Sequence, residues 1–382
     1  MKVTIIPCDL SHNCLGRAYI LAKVLSGICE VEIVGFSLGG GVWEPLRKEL
    51  SEIGYKYFSG GKTFFRFLPQ IKDMLKIIDG DVIYAMKPRT TSFGVGLLSK
   101  IMFNRPLILD IDDWEVGFYL DKGFKSILFT PAFLWNLDAL PYTIAMELLV
   151  KWADDITVAS RYLQRKFGGH YVPHCVDTNL FDPLKYNREK EREKLGIGDE
   201  KIVSFIGTPQ PHKGLEDLVE ALSLVKNDVR VKFMMTGNPK EPYVQHILTL
   251  SKRKLGKDNI LFLGIRPKSE EPLLLSITDL VVLPQKTTKF AMAQTPAKVF
   301  SAMAMAKPIV ATKISDLPEI LKDCGILVKA GDIIGLAKAI SLILKNDDLA
   351  KEMGKKARKK CIKKYSWDSA QQILKVILKK FQ

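Results

Sequence analysis

The chain has 382 residues, of which 47% are hydrophobic and 26% charged, and its mean hydropathy is +0.05. This composition excludes an intrinsically disordered or low-complexity chain, and the length exceeds that of a usual single core, so we expect two domains. The formal net charge is +15, and residues 351–382 alone carry 11 basic and 2 acidic residues. Such a basic surface could bind nucleic acid or an anionic lipid headgroup.

Apolar strand-like runs alternate with helical patterns along the chain, which predicts parallel sheets built from βαβ units. We expect an α/β protein with two doubly wound domains in tandem. The predicted strands are Val3–Pro7, Glu32–Phe36, Asp81–Ala85, Leu107–Asp110 and Ile156–Ser160, then Ile202–Gly207, Arg230–Thr236, Ile260–Gly264, Leu280–Pro284, Ile309–Thr312 and Ile326–Val328.

The domain boundary is expected near residue 180, where a short strand gives way to turn residues and then to a charge-rich helix. The prediction is therefore an N-terminal domain at 1–180, a C-terminal domain at 181–364, and a terminal helix at 365–382 that could cross back to the first domain. Ligands of open α/β sheets bind at the carboxyl ends of the strands. A cleft between the two predicted domains is thus the default site.

Targeting and redox features suggest a cytoplasmic protein. The six cysteines occur singly, without a C-x-x-C pair or histidines at zinc-site spacing, which is typical of reduced thiols. The N-terminal MKVTIIPCDL has no signal-peptide pattern, so we expect a chain that begins at Met1. The longest apolar stretch, 124–152, is interrupted by prolines and acidic residues, and we do not expect it to span a membrane.

Lys298 lies at the predicted start of a helix. Thr295 is a candidate N-cap, Pro296 suits the first helical position, and Lys298 would then be the third helical residue. The partial positive charge of a helix N-terminus disfavours a lysine there by a few tenths of a kcal/mol unless an anion lies between them. The pattern therefore suggests a bound anion.

Lys213 has the same setting. It follows the strand that ends at Gly207 and precedes a helix, in the segment 208-TPQPHKGLEDLVEAL-222. Either lysine alone is more simply a solvated surface charge. Because both stand at helix starts on the same edge of one sheet, a shared diphosphate is the better interpretation.

Several segments resemble one family, the retaining glycosyltransferases of family 4, which have the GT-B fold and use nucleotide-diphosphate sugars. The similar segments are the G-x-x-x-x-x-K-G of Gly207–Gly214, 295-TPAKVFSAMAMAKPIVAT-312, 318-PEIL-321 with 325-GILV-328, 172-VPHCVDTNLFDP-183, 153-ADDITVAS-160 and 365-YSWDSAQQIL-374. Their order and spacing carry the resemblance over most of the chain.

The resemblance implies a donor site. It places Lys213 and Lys298 on the donor's diphosphate, where they would also act in catalysis, and Glu319 near the nucleotide or ribose. Gly16, after the first strand, would line the cleft from the N-terminal domain, although it is equally explained as a turn before a helix. The remaining implied donor-binding residues are Gly207, Thr208, Thr295, Pro296 and Ser301.

The chain departs from the family pattern at three positions. Thr208 stands where the family has a basic residue, and Ala293 and Ser301 stand where it has paired glutamates. Recognition of the ribose or sugar is thus expected to differ.

The strand end 110-DIDD-113 is acidic. Asp112 aligns with a histidine of many family members and is the candidate polar residue beside the reacting sugar, with Asp113 orienting the loop. Either aspartate could instead cap the next helix. A D-x-D site for a divalent cation is the rival interpretation, but it belongs to a fold without two βαβ series, so we expect no metal.

The resemblance implies transfer of a sugar, with retention, to a glycan or lipid-linked acceptor in the synthesis of a cell-surface polysaccharide or glycolipid, without a cofactor. The aromatic segment 114–152 and the basic C-terminal helix could contact an anionic membrane peripherally. No nucleic-acid recognition module accompanies the basic charge, so nucleic acid is not an expected partner. Alternatives are a nucleotide-sugar epimerase, another sugar-nucleotide enzyme of the GT-B fold, or a non-catalytic binding protein.

Overall fold

The computed structural model describes residues 1–121, 123 and 135–382, and these form two compact units. Unit 1 comprises Met1–His174, Met292–Thr295 and Asp368–Gln382, and unit 2 comprises Cys175–Ala291 and Pro296–Trp367. The change of unit after His174 lies before the expected boundary at residue 180. The assignment of residues 292–295 to unit 1 has no counterpart in the sequence-based prediction.

Unit 1 is built on a parallel sheet. Its strands are β1 (Lys2–Ile6), β2 (Glu30–Ser37), β3 (Tyr55–Ser59), β4 (Val82–Met86), β5 (Leu107–Ile111), β6 (Asp155–Val158) and β7 (His170–Tyr171). Its α-helices include α1 (Leu15–Leu25), α2 (Phe64–Ile77), α3 (Val95–Phe103), α4 (Glu115–Asp121), α5 (Leu140–Leu148) and α6 (Arg161–Phe167).

The strand order in unit 1 is β3-β2-β1-β4-β5-β6-β7. Every residue of β4 and β5 is buried, because helices cover both faces of a parallel sheet and its strands read as continuous apolar runs. The chain order reverses between β1 and β4, and the carboxyl ends of strands beside such a switch point are where α/β sheets bind ligands. In unit 1 this point lies next to residues 7–14 and 87–89.

Unit 2 is a second parallel sheet, in the order β10-β9-β8-β11-β12-β13. Its strands are β8 (Lys201–Phe205), β9 (Val231–Met235), β10 (Ile260–Phe262), β11 (Leu280–Leu283), β12 (Ile309–Thr312) and β13 (Ile326–Val328). The remaining α-helices are α7 (Arg188–Lys194), α8 (Leu215–Val225), α9 (Pro242–Leu255), α10 (Glu271–Ser276), α11 (Lys289–Ala293), α12 (Lys298–Ala304), α13 (Leu317–Ile320), α14 (Ile333–Leu344), α15 (Asp347–Lys364) and α16 (Trp367–Leu378). The switch point lies between β8 and β11.

The sequence analysis missed one strand and misplaced the start of one helix. Strand β3 was missed because it is an edge strand of mostly exposed or half-buried residues, YKYFS, without an apolar run. Helix α12 begins at Lys298 with Ala297 as N-cap, so Thr295 is not the cap and Pro296 is not its first residue. Within the described residues, no helix is long and apolar enough to cross a membrane.

Candidate functional site

Lys298 and Gly207 meet at the switch point of unit 2. Gly207 follows β8 with φ +132°, and a Cβ at this position would lie 2.7 Å from Nζ and 3.1 Å from Cε of Lys298. The Gly207 N–H donates to Oγ1 of Thr236, 2.8 Å away, at the end of β9. Glycine is therefore required here by the approach of the lysine side chain as well as by the backbone conformation.

The ammonium group of Lys298 is buried without a hydrogen bond among the described residues. Its Nζ lies 3.6 Å from the centroid of the Phe205 ring. Burial, and next the charge of Lys213, lower the pKa of Lys298 well below its ordinary value. A buried cation of this kind is costly unless it is paired, so the arrangement favours an anionic ligand.

Lys213 lies on a short 3₁₀ turn, Pro211–Lys213, between β8 and α8. Its Nζ donates to the backbone O of Thr208 at 2.6 Å. The next residue, Gly214, has φ +67°, and a Cβ there would clash with the carbonyl O of Pro284. The chain thus turns into α8 only with glycine at this position, which fixes Lys213 beside the end of β8.

The other predicted donor-binding residues differ in burial and in the unit to which they belong. Ser301 is buried on α12, and Thr295 is buried within the segment assigned to unit 1. Pro296 precedes α12, and its O accepts the Val299 N–H at 3.0 Å. The side chain of Glu319 is exposed on α13, and its backbone O accepts a hydrogen bond from Lys360 at 2.8 Å.

A buried ion pair underlies the acidic strand end of unit 1. Asp110 accepts from Nε and Nη2 of Arg17 at 2.9 and 2.8 Å, and from the Thr157 hydroxyl at 2.7 Å. Arg17 in turn donates to the backbone O of Val172 at 2.8 Å. Asp110 is therefore fully engaged within the fold, which argues against its use as the first ligand of a D-x-D cation site.

Asp112 lies directly after β5 and is buried. Its Oδ1 is 3.2 Å from Nζ of Lys87, an ion-pair distance without hydrogen-bond geometry. Burial is the largest effect on this carboxyl and, with the charges of Asp113 and Asp110, raises its pKa to about 7 against the opposing effect of Lys87. A carboxyl with this pKa can donate or accept a proton near neutrality.

Lys87 is the residue that sequence reasoning missed. It follows β4 with φ +67°, and its ammonium forms ion pairs with Asp112, Asp113 and, at 3.0 Å, Glu115. The N–H of Lys87 donates to the Asp110 carbonyl at 2.7 Å. Three carboxylates from the β5 loop are thus gathered around one cation. The only signal in the sequence is a lysine between a buried strand and a proline.

The loop after β1 completes the switch point of unit 1. Hydrogen bonding with Cys8 is the largest effect that lowers the pKa of the Cys14 thiol, to about 6, and His12 acts in the same direction. Gly16 is the second residue of α1, and a Cβ there would meet only Trp43, at 3.8 Å. The sequence did not indicate that Cys8 and Cys14 interact.

Residues 292–295 also contribute to unit 1. Gln294 Nε2 donates to Oδ1 of Asp113 at 2.6 Å, and the backbone O of Ala293 accepts from Oγ of Ser160 at 2.7 Å. Position 293, where the resembled family has a glutamate, is fully buried among the core residues of unit 1. A carboxylate there would lose its hydration without an evident partner.

Residues 187–360 match the family model described as Glycosyl transferases group 1. Among curated proteins, the N-acetyl-alpha-D-glucosaminyl L-malate synthase of Bacillus anthracis is 29% identical over 190 residues, which cover 49% of this chain and 47% of that protein. The GDP-mannose-dependent alpha-(1-6)-phosphatidylinositol monomannoside mannosyltransferase of Mycolicibacterium smegmatis is 24% identical over 246 residues, 61% and 64% of the two chains. The chain thus spans about half to under two thirds of the length of these relatives.

Solved structures match over nearly the whole chain. Anabaena Alr3699/HepE in complex with UDP and glucose has a TM-score of 0.79 at 18% identity, with both chains covered completely. WaaG, a glycosyltransferase involved in lipopolysaccharide biosynthesis, has a TM-score of 0.71 at 12% identity, covering 99% of each chain. The fold is GT-B, with two Rossmann-like parallel-sheet domains. Within it, residues 187–360 are the part that is similar to the group 1 family.

Proposed function

We propose that this chain is a retaining glycosyltransferase of family 4 that moves a sugar from a nucleotide-diphosphate sugar to a glycan or lipid-linked acceptor. The group 1 match of residues 187–360 supports the transferase class. The UDP and glucose bound by the Anabaena protein of the same fold are the ligand class assigned here to unit 2. The observation that carries the proposal is the buried, unpaired ammonium of Lys298 beside Gly207, at a sheet switch point.

In this proposal Lys213 and Lys298 bind the diphosphate of the donor. As the bond from the anomeric carbon to the phosphate oxygen breaks, the diphosphate takes the electron pair and its negative charge grows. The two cations, fixed beside the end of β8, stabilise this charge, so a divalent cation and a cofactor are not required. The acceptor oxygen bonds to the same face of the anomeric carbon, and its proton passes to the departing diphosphate.

Unit 1 supplies the acceptor side of the proposal. Asp112 lies at the carboxyl edge of its sheet, next to the switch point, and its raised pKa lets it form hydrogen bonds with hydroxyl groups as donor or acceptor. Lys87 and Gln294 hold the neighbouring Asp113. Asp112 would therefore contact the reacting sugars, while Lys87 acts as a positioning residue.

We place the acceptor reaction at the cytoplasmic face of a membrane. Exposed apolar side chains of unit 1 include Ile101 and Met102 on α3, 67% and 61% exposed, and Trp152, 51% exposed. Lys100 joins these elements, since its Nζ donates to the Trp152 carbonyl O at 2.9 Å. Exposed apolar side chains of this kind can insert into the interfacial region of a bilayer. A lipid-linked acceptor at this surface would make the product part of a cell-surface polysaccharide or a glycolipid.

Two segments, 114–152 and the basic C-terminal helix, are expected from the sequence to contact a membrane. Residues 122 and 124–134 of the segment 114–152 lie outside the described residues. In the C-terminal segment 365–382, Lys380 is engaged with Asp155, 2.6 Å away.

Co-sedimentation with phosphatidylglycerol vesicles tests the exposed apolar surface of α3. The double variant Ile101→Ser, Met102→Ser should bind the vesicles less than the wild type. Leu184→Ser, at an exposed site in unit 2, should bind them equally.

Binding of nucleotide sugars tests the donor assignment. Isothermal titration with UDP, GDP and ADP sugars should give saturable binding for one base, and Lys298→Met or Lys213→Met should weaken it at least tenfold. Lys257→Met, at an exposed lysine of unit 2, is the matched control and should leave the affinity unchanged. If no nucleotide sugar binds to the wild type, or if Lys298→Met and Lys213→Met bind it with wild-type affinity, the assignment is wrong.

A further inference from the structure

Gln285 is a buried glutamine whose side-chain amide is unpaired. The residue is 3% exposed, and neither Oε1 nor Nε2 has a hydrogen-bond partner in the part of the chain that the structure describes. Leaving a buried donor or acceptor unsatisfied costs about 1–3 kcal/mol for each group. An amide kept in this state is expected to have a partner in the working protein, either a ligand or a buried water.

The backbone around Gln285 belongs to the switch point of unit 2. Strand β11 ends at Leu283, and it pairs with β8 so that Val281 lies beside Ser204. Continued in that register, residues 283–285 run level with residues 206–208. In this register Pro284 is level with Gly207, against which the Lys298 ammonium packs, and Gln285 is level with Thr208, one residue further along the sheet.

The neighbours of Gln285 fix it against the loop of Lys213. The N–H of Lys286 donates to the His212 carbonyl O at 2.9 Å, and the carbonyl O of Pro284 lies against Gly214. The carbonyl O of Gln285 itself accepts from Oγ1 of Thr312 at 2.9 Å. Its backbone is therefore held on both sides, within two residues of contacts that position Lys213.

The chemistry of an amide narrows the class of ligand. A diphosphate only accepts hydrogen bonds, so it would leave Oε1 of Gln285 unpaired, whereas a sugar hydroxyl both donates and accepts. The two carboxylates that the resembled family would offer to such hydroxyls are absent, because Ala293 has no polar side chain and Ser301 has only one hydroxyl oxygen. The Oε1 of Gln285, at the end of β11, is a neutral acceptor that could bind such a hydroxyl.

We propose that Gln285 recognises a hydroxyl group of the nucleotide sugar, accepting a hydrogen bond from it at Oε1 and donating one from Nε2 to a neighbouring sugar oxygen. This inference rests on the proposed function, because it takes Lys213 and Lys298 to hold the donor diphosphate. The hydroxyl belongs to the transferred sugar or to the ribose. In either case Gln285 determines which donors bind.

Titration calorimetry on the full chain shows whether the recognised hydroxyl belongs to the transferred sugar or to the ribose. Gln285→Leu keeps the size of the side chain and removes both polar atoms, and Gln245→Leu, at an exposed glutamine of α9, is the control. The nucleotide sugar preferred by the wild type should bind Gln285→Leu about tenfold more weakly. If the hydroxyl is on the transferred sugar, the nucleoside diphosphate alone binds both proteins equally. If it is the 2′-hydroxyl of the ribose, the nucleoside diphosphate also binds Gln285→Leu about tenfold more weakly than the wild type. The 2′-deoxy analogue of the diphosphate then binds both proteins equally.

Thermal unfolding without ligand gives an independent readout. Removal of an unpaired amide should leave the melting temperature of Gln285→Leu unchanged or higher, while a structural water on the amide would make the variant less stable. The proposal is overturned if the variant binds the nucleotide sugar as the wild type does, or if its ligand-free stability falls. Failure of the wild type to bind any nucleotide sugar would instead refute the proposed function.

Discussion

The ammonium of Lys298 occupies the space that a side chain at Gly207 would need, since a Cβ at residue 207 would lie 2.7 Å from Nζ. The conformation of one loop and the placement of one cation are thus coupled. Because the clashing atom is the end of a flexible side chain, a larger residue at 207 would displace the lysine rather than unfold unit 2. Function is therefore more sensitive than stability to this position.

Gly207→Ala should weaken nucleoside diphosphate binding at least tenfold, because Lys298 must move away from the end of β8. The accompanying loss of stability should be limited to about 1–3 kcal/mol of backbone strain. Gly264→Ala is the matched control: Gly264 also has a positive φ, +69°, but a Cβ there would meet nothing within 4 Å. Titration calorimetry and thermal unfolding of both variants measure the two effects. Equal affinities in the two variants would refute the coupling.

Binding of a diphosphate should take up a proton at Lys298. Burial and the charge of Lys213 lower the pKa of this lysine, so the ligand-free site is partly neutral in a pH range where the bound anion would restore the charge. The observed binding enthalpy should then depend on the ionisation enthalpy of the buffer, and Lys298→Met should abolish the part due to this proton. A wild type whose binding enthalpy is the same in phosphate and Tris would contradict the prediction.

The same depressed pKa affects stability with a definite sign. Between the folded-state pKa of Lys298 and its ordinary value of 10.5, the unfolded chain binds a proton that the folded chain does not. Wild-type stability therefore rises with pH across this range, and Lys298→Met should lack that contribution. Melting temperatures of both proteins, measured from pH 7 to 10, should converge as pH rises. A constant difference would exclude an uncompensated Lys298 charge.

The general fold and the lysine pair could be predicted from local patterns. Alternation of apolar strands with helices predicts two parallel sheets, and Lys213 and Lys298 are marked by the glycines, prolines and strand ends around them. These signals are local because each strand of a parallel sheet is a continuous apolar run, and each functional loop directly follows one.

The remaining site features depend on contacts between distant segments. Lys87 looks like an ordinary surface lysine until its positive φ and three carboxylates are known. The sequence 282-VLPQK-286 reads as a polar loop, although packing buries Gln285. Thr295 and Pro296 resemble a helix start, yet α12 begins later because the preceding residues, 292–295, pack in unit 1. Tertiary packing overrides local preference in each case.

Asp112→Asn should stabilise the protein above neutral pH. Since burial raises the pKa of Asp112 to about 7, the folded chain binds a proton more tightly than the unfolded chain between about pH 4 and 7. Wild-type stability therefore falls as pH rises through this range, and the variant avoids the loss, on the order of a few kcal/mol. Unfolding midpoints at pH 5 and pH 8 measure the change.

The control for this prediction is Asp73→Asn. Asp73 is exposed, and hydrogen bonding with Lys76 lowers its pKa, so this carboxyl stays ionised in both folded and unfolded chains from pH 5 to 8. Its variant should therefore differ from the wild type by a constant amount. If Asp112→Asn also gave a constant difference, Asp112 would be an ordinary ionised carboxylate and a poor candidate for proton exchange near neutrality.

Lys87→Met should be strongly destabilising, because buried Asp112 and half-buried Asp113 lose their ion-pair partner, while Glu115 keeps Arg89 at 2.7 Å. Removing one partner of a buried charge cluster typically costs about 3–5 kcal/mol. Lys100→Met is the matched control, since Lys100 forms a partly exposed pair with Asp154 at 2.6 Å and its loss should cost under about 1 kcal/mol. Urea unfolding followed by tryptophan fluorescence compares the two variants.

Donor binding separates a positioning role from general unfolding. Lys87 belongs to unit 1, whereas Gly207 and Lys298 belong to unit 2. If the Lys87→Met variant remains folded at low temperature, it should therefore bind the nucleoside diphosphate with wild-type affinity. Its transfer rate should nevertheless fall, because Asp112 loses the cation beside Oδ1 and the β5 loop loses its anchor. Equal stability of Lys87→Met and Lys100→Met would show that the three carboxylates do not depend on Lys87, and unchanged transfer would remove its positioning role.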